Sequence, residues 1–188
     1  ERLLPQLGCS TSSPLYVFFS EPLRELPEFG LPFDQHDALS MFTAGLSSPC
    51  TVLLKRHPVL EGLRTVIGKP PVELLDAPAD WSAKQLLRAA DGFAGVSSTL
   101  LVKAYLADFP LVVCHPSAPD TFSDPCVLTR EGSLVAARSA SEVALRLGEK
   151  QVRTPLPGVG IATATIVDLI TRPHGFFRAH SGTTAHTE

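Results

Sequence analysis

No stretch of this chain approaches the ~18–20 consecutive apolar residues that a membrane-spanning helix needs, and no basic segment followed by an apolar core opens it. A soluble, cytoplasmic protein is expected. The chain opens on Glu1 rather than Met, as an excised or processed fragment would. It also lacks a basic stripe: 16 Lys and Arg stand against 19 Asp and Glu, for a net charge of −3. A nucleic-acid partner would call for clustered positive charge, so that class is excluded. Cysteine is sparse. Cys9, Cys50, Cys114 and Cys126 are far apart, without the C-x-x-C spacing of a metal or redox site, and are expected as reduced thiols. His36, His174, His180 and His186 have no metal-ligand spacing with Cys or with one another. There is no G-x-G-x-x-G, no G-x-x-x-x-G-K-[ST], no G-x-S-x-G elbow and no internal repeat, so the standard dinucleotide, P-loop and hydrolase signatures are all missing.

What is present is a core. Hydrophobic residues make up 44% of 188 and charged residues 19%, which suits one globular domain. After a polar, Pro- and Ser-containing opening (1–14), expected to be a linker or frayed end, short apolar runs alternate with helical patterns. Strands are expected at Leu15–Phe19, Thr51–Leu54, Val72–Leu75, Gly92–Val96 and Leu111–Cys114, with a weaker one at Leu134–Ala137. Helices are expected at Asp34–Leu46, Val59–Ile67, Trp81–Ala90 with Asp80 as its cap, Ser98–Ala107, Ser141–Leu147 and Gly160–Ile170. Residues 15–173 would form the domain and 174–188 a disordered tail. Strands that are apolar on both faces, separated by amphipathic helices, imply an α/β fold with a Rossmann-like, doubly wound parallel sheet. Ligands of such sheets sit beyond the carboxyl ends of the strands, where the strand order switches.

Four loops at those ends can carry chemistry. Gly95-Val96-Ser97-Ser98-Thr99 runs from a strand directly into a helix, placing three hydroxyls beside unpaired helix amides. A phosphate would gain hydroxyl and amide bonds there, and ordinary capping by Ser97 or Ser98 is the competing reading. His57, in Lys55-Arg56-His57-Pro58, can donate to a phosphate or act as general acid to a leaving phosphate. A structural hydrogen bond is its alternative. His115-Pro116 repeats that pattern more weakly. Ser20, in Ser20-Glu21-Pro22, can donate from the turn after the first strand. The loop Asp76-Ala77-Pro78-Ala79-Asp80 is the fourth.

The order of these segments over Leu15–Pro116 resembles the carboxyl-terminal half of GT-B glycosyltransferases, especially bacterial, sialyltransferase-like enzymes of surface-polysaccharide biosynthesis. Leu53-Leu54-Lys55-Arg56-His57-Pro58 looks like their HP motif, and Gly95-Val96-Ser97-Ser98-Thr99-Leu100 like their serine motif. Phe18-Phe19-Ser20-Glu21-Pro22-Leu23 resembles the opening strand and loop of that half. The resemblance implies a nucleotide-sugar-binding domain, one half of a GT-B architecture. In it His57 would be the catalytic residue at the donor phosphate, with Ser20, Pro58, Ser97, Ser98 and Thr99 around the donor. It implies no metal or separate cofactor, the nucleotide sugar (CMP- or UDP-linked) being a substrate. It further implies a glycan or lipid-linked acceptor, a second, amino-terminal domain with the general base, and a location at most peripheral to the inner membrane face. Lys103 stands where related sequences often carry an acidic residue, and an ammonium cannot accept hydrogen bonds from sugar hydroxyls. A non-catalytic ligand- or partner-binding α/β module therefore stays open. So does a GT-B-fold sugar-nucleotide epimerase, for which Asp76, Asp80 or Asp91 would have to supply carboxylates.

Overall fold

The computed structural model describes residues 13–23, 30–57, 71–117 and 124–148. The chain divides into two compact units, 1–154 and 155–188, and every described residue lies in the first. The expected helices Val59–Ile67 and Gly160–Ile170, Pro58, Cys9 and the 174–188 tail lie outside the described residues.

Five strands form one all-parallel sheet: β1 Leu15–Phe19, β2 Cys50–Lys55, β3 Val72–Asp76, β4 Gly92–Gly95 and β5 Leu111–Val113, in the order β3-β2-β1-β4-β5. The expected Rossmann-like α/β fold is thus the observed one. From β1 the chain steps outward to β2 and β3, then returns to the other side of β1 for β4 and β5, so the order switches between β1 and β4. Burial follows from position. Cys50–Leu54 in β2, flanked by strands and covered on both faces, are all buried, whereas edge strand β3 alternates and exposes Glu73.

Consecutive side chains of a strand point to opposite faces, so Phe18 and Phe19 reach both layers. On one face Phe18 and Tyr16 meet Phe42 of helix α1 (Gln35–Ala44), at centroid distances of 5.8 and 6.0 Å. On the other, Phe19 stacks on Phe93 at 5.8 Å, and Phe93 meets Phe109 edge-on at 5.3 Å, just beyond helix α3 (Thr99–Leu106). The remaining helices are α2 (Ala83–Ala89), a single turn α4 (Val127–Arg130), and α5 (Ala140–Gly148), which packs against α1 and β5. No helix among the described residues is long and apolar enough to cross a membrane.

Two expectations are corrected, and one element is new. Helix α2 is capped by Ser82, not Asp80. Ser82 and Gln85 form a reciprocal capping box, and buried Trp81 and Leu86 hold the two positions of a hydrophobic staple, which fixes the helix start two residues later. The run Leu134–Ala137 is not a strand. Only Ala137 bridges to Cys114, while Val135 is 66% exposed and the Leu134 amide turns back to Leu128. Helix α4 was not expected. Four residues carry no periodicity, and the turn is set up by Asp124 accepting from the Cys126 amide at 2.8 Å. Cys50, Cys114 and Cys126 are buried free thiols, as expected for cysteines acting as small hydrophobes.

Candidate functional site

Strand register decides which loop residues meet. Phe19 pairs with Lys55 on one side and with Gly95 on the other. Two residues beyond each lie Glu21, His57 and Ser97, which therefore form a row across the carboxyl ends of β2, β1 and β4, over the strand-order switch.

The row is held together by the middle member. The Ser97 amide donates to Glu21 Oε2 at 2.7 Å, and the Ser97 hydroxyl donates to Glu21 Oε1 at 3.1 Å. Burial pushes the Glu21 carboxyl above its usual range. The Ser97 amide and hydroxyl, the nearby His57 and the Val96 backbone pull it part of the way back. Ser97 thus donates from both backbone and side chain to one carboxylate, immediately before the amino terminus of α3. This arrangement recognises an oxyanion, and a charge-assisted one is favoured.

The other expected residues divide around this row. Ser98 is the cap of α3, its hydroxyl accepting from the Leu100 amide at 3.3 Å, so the capping reading holds for Ser98 and not for Ser97. Thr99 is the first residue of α3 and is exposed. Ser20 is half-buried at the end of β1, its amide donating to the Lys55 carbonyl at 3.0 Å. His57 is exposed at the end of the row.

The two cations before it are turned away. Lys55 Nζ donates to the Pro78 and Ala79 carbonyls at 3.4 and 3.2 Å, and Arg56 Nε pairs with Asp76 Oδ1 at 2.7 Å. Lys103 is exposed in the last turn of α3, where a cation suits the helix dipole. Among the described residues no group of three or more His, Cys, Asp or Glu converges as a metal site would.

His115 is almost fully buried. It hydrogen-bonds the Val96 backbone, lies 3.6 Å from Asp124 through Nε2, and stacks on Phe33 at 6.0 Å. Burial pushes its pKa down, opposed by Asp124. Its bond to the Val96 backbone ties it to the loop that carries Ser97. Near Phe33, a cavity of about 360 Å³ lined by Leu23, Gly30, Phe33, Asp34 and Asp37 among others opens beside the start of α1. Its size lies in the range of small-molecule sites. The Asp34 carboxylate itself is engaged in a capping box with Asp37. Asp91 lies at the opposite, amino-terminal end of the strands, just before β4, accepting from the Leu15 amide at 2.9 Å. It is therefore removed from the carboxylates that an epimerase could place in this crevice.

Glu21 is the residue that sequence reasoning left without a role. Its partner lies 76 positions away. The expected strand Gly92–Val96 runs one residue beyond the observed β4, so aligning the expected strand ends would have set Glu21 opposite Ser98 instead.

The order of the strands defines a Rossmann-like α/β domain, with Glu21 and Ser97 hydrogen-bonded above its switch point. No family model matches the chain, and no curated protein matches it. Among solved structures, the chain is similar to a UDP-GlcNAc 2-epimerase from Neisseria meningitidis bound to UDP-GlcNAc. The identity is 14% and the TM-score 0.46, over 88% of this chain and 47% of that one. It is also similar to a chain from a structure explaining EarP-mediated arginine glycosylation of translation elongation factor EF-P. There the identity is 16% and the TM-score 0.38, over 89% of this chain and 64% of that one. The chain thus spans between about half and two thirds of the length of these two structures.

Proposed function

We propose that this chain is the nucleotide-sugar-binding domain of a glycosyltransferase of the GT-B kind, acting in bacterial surface-polysaccharide biosynthesis. The observation that carries the reading is Ser97, which directs its amide and its hydroxyl onto one oxyanion at the switch between β1 and β4. A donor phosphate would take that position, Ser20 and Ser98 flanking it and His57 facing it from the end of β2. The cavity lined by Leu23, Gly30 and Phe33 offers room for the sugar or the nucleoside.

In the transfer, an acceptor hydroxyl attacks the anomeric carbon of the donor, and the bond to the nucleotide's phosphate breaks. The Ser97 amide and hydroxyl and His57 stabilise the charge that gathers on the departing phosphate, as preorganised donors do. The glycan or lipid-linked acceptor and the general base would belong to a second, amino-terminal domain. Binding without turnover beside such a domain would identify instead the non-catalytic module, to which Lys103 points.

Calorimetric titration with CMP, CDP, UDP and GDP tests the reading. One nucleotide is expected to bind saturably. His57→Ala should weaken it by roughly 1–3 kcal/mol, the size of a hydrogen bond to a charged group. Unchanged affinity in His57→Ala would remove His57 from the site.

A further inference from the structure

We propose that Glu21 is a built-in competitor of the phosphate: its carboxylate fills the oxyanion position of Ser97, and a ligand enters only by displacing it. The inference rests on reading that position as the phosphate site.

The geometry carries it. Both Ser97 donors are taken by the two oxygens of one carboxylate, at 2.7 and 3.1 Å. Carboxylate and phosphate are alike as acceptors, so one group satisfies the donors in place of the other. Both cannot sit there, because two anions in contact repel. Of the two described cations just before His57, neither is turned to the position: Arg56 is held by Asp76 and Lys55 by the Pro78 and Ala79 carbonyls. His57, from the loop after β2, is the titratable group that faces Glu21. The loop between β4 and α3 offers it only the Ser97 amide and hydroxyl and the Val96 backbone. The backbone beneath Glu21 is anchored, since Pro22 and Leu23 are buried and the Leu23 amide donates to the Glu21 carbonyl at 2.8 Å. The side chain can therefore leave without unravelling β1.

Such a competitor acts as a specificity filter. Free phosphate offers only the contacts the carboxylate already makes, and gains nothing by replacing it. A nucleoside diphosphate brings base, ribose and a second phosphate, and their binding offsets the displacement.

Glu21→Gln separates the roles. Its carbonyl can accept from the Ser97 amide and its amide can donate to the Ser97 hydroxyl, so both hydrogen bonds survive while the charge is lost. Titrating CMP, CDP, UDP, GDP and inorganic phosphate into the wild-type chain and E21Q, the best nucleotide should bind E21Q roughly tenfold tighter, as a charge-assisted bond gives way to a neutral one. Inorganic phosphate should bind E21Q detectably and the wild type not. The gap between the two proteins should close as pH falls through the raised pKa of Glu21, because protonation removes the competing charge.

Should E21Q fail to fold, Glu21→Asp, one methylene short of Ser97, is expected to tighten binding as well. Equal or weaker binding by either folded variant, with the His57→Ala effect intact, would overturn the competitor and leave the donor site standing. No nucleotide binding to any of the proteins would overturn both.

Discussion

Replacing Phe42 by alanine is expected to destabilise the domain by about 3–5 kcal/mol, the range for deleting a fully buried aromatic side chain. Phe42 has no exposed surface and its ring joins α1 to Tyr16 and Phe18 of β1. Beyond the lost transfer energy, the cavity would lie between a helix and the central strand, neither of which can close it without shifting the sheet. In urea, the unfolding midpoint should fall while the slope stays constant, since a lower midpoint at constant slope reports stability alone. A midpoint within error of the wild type would mean that α1 does not pack on β1 through this residue.

The second large effect comes from adding atoms. Gly45 ends α1 in an ordinary right-handed conformation, with φ −81°, so backbone freedom is not why glycine stands there. Space is the reason. A Cβ at this position would lie 2.5 Å from the Ala140 carbonyl oxygen and 2.6 Å from Val143 Cβ. The end of α1 and the start of α5 approach too closely for any side chain. Gly45→Val should therefore cost about 3 kcal/mol, the upper end of overpacking penalties, and lower Tm by roughly 6–12 °C in a domain of this size. Heating followed by far-UV circular dichroism measures it. A Tm unchanged within a degree or two would contradict the packing of α5 on α1.

The legibility of this chain divides along a physical line. The strands were readable because a parallel sheet buried on both faces needs continuous apolar runs, and LYVFF and CTVLL are such runs. Helix α1 was readable from its apolar spacing, and its capping box, Asp34 with Asp37, is a local device that the spacing does not show. Local chemistry misled where two polar residues competed for one helix start. Asp80 and Ser82 are both good caps, and the reciprocal partner Gln85, with Trp81 before it, settled the choice for Ser82.

The site was half legible. Its loops followed from the fold, since crevice residues lie beyond the strand ends. The allocation of Ser97 and Ser98 did not, because one turns to its own helix and the other to Glu21 across the sheet. Lys55-Arg56 place positive charge beside His57 in sequence. Asp76 and two loop carbonyls, set beside it by the pairing of β2 with β3, consume it.

The central claim is that a phosphorylated ligand binds in the row formed by His57, Glu21 and Ser97. Backbone amide NMR during titration with the tightest-binding of the four nucleotides addresses it most directly. The account predicts saturable shifts that are largest at Ser20, Glu21, His57, Ser97 and Ser98, with the Ser97 amide changing most as its acceptor switches from carboxylate to phosphate. Shifts centred on the opposite, amino-terminal ends of the strands, around Leu15 and Asp91, or no saturable shift in the row, would contradict it.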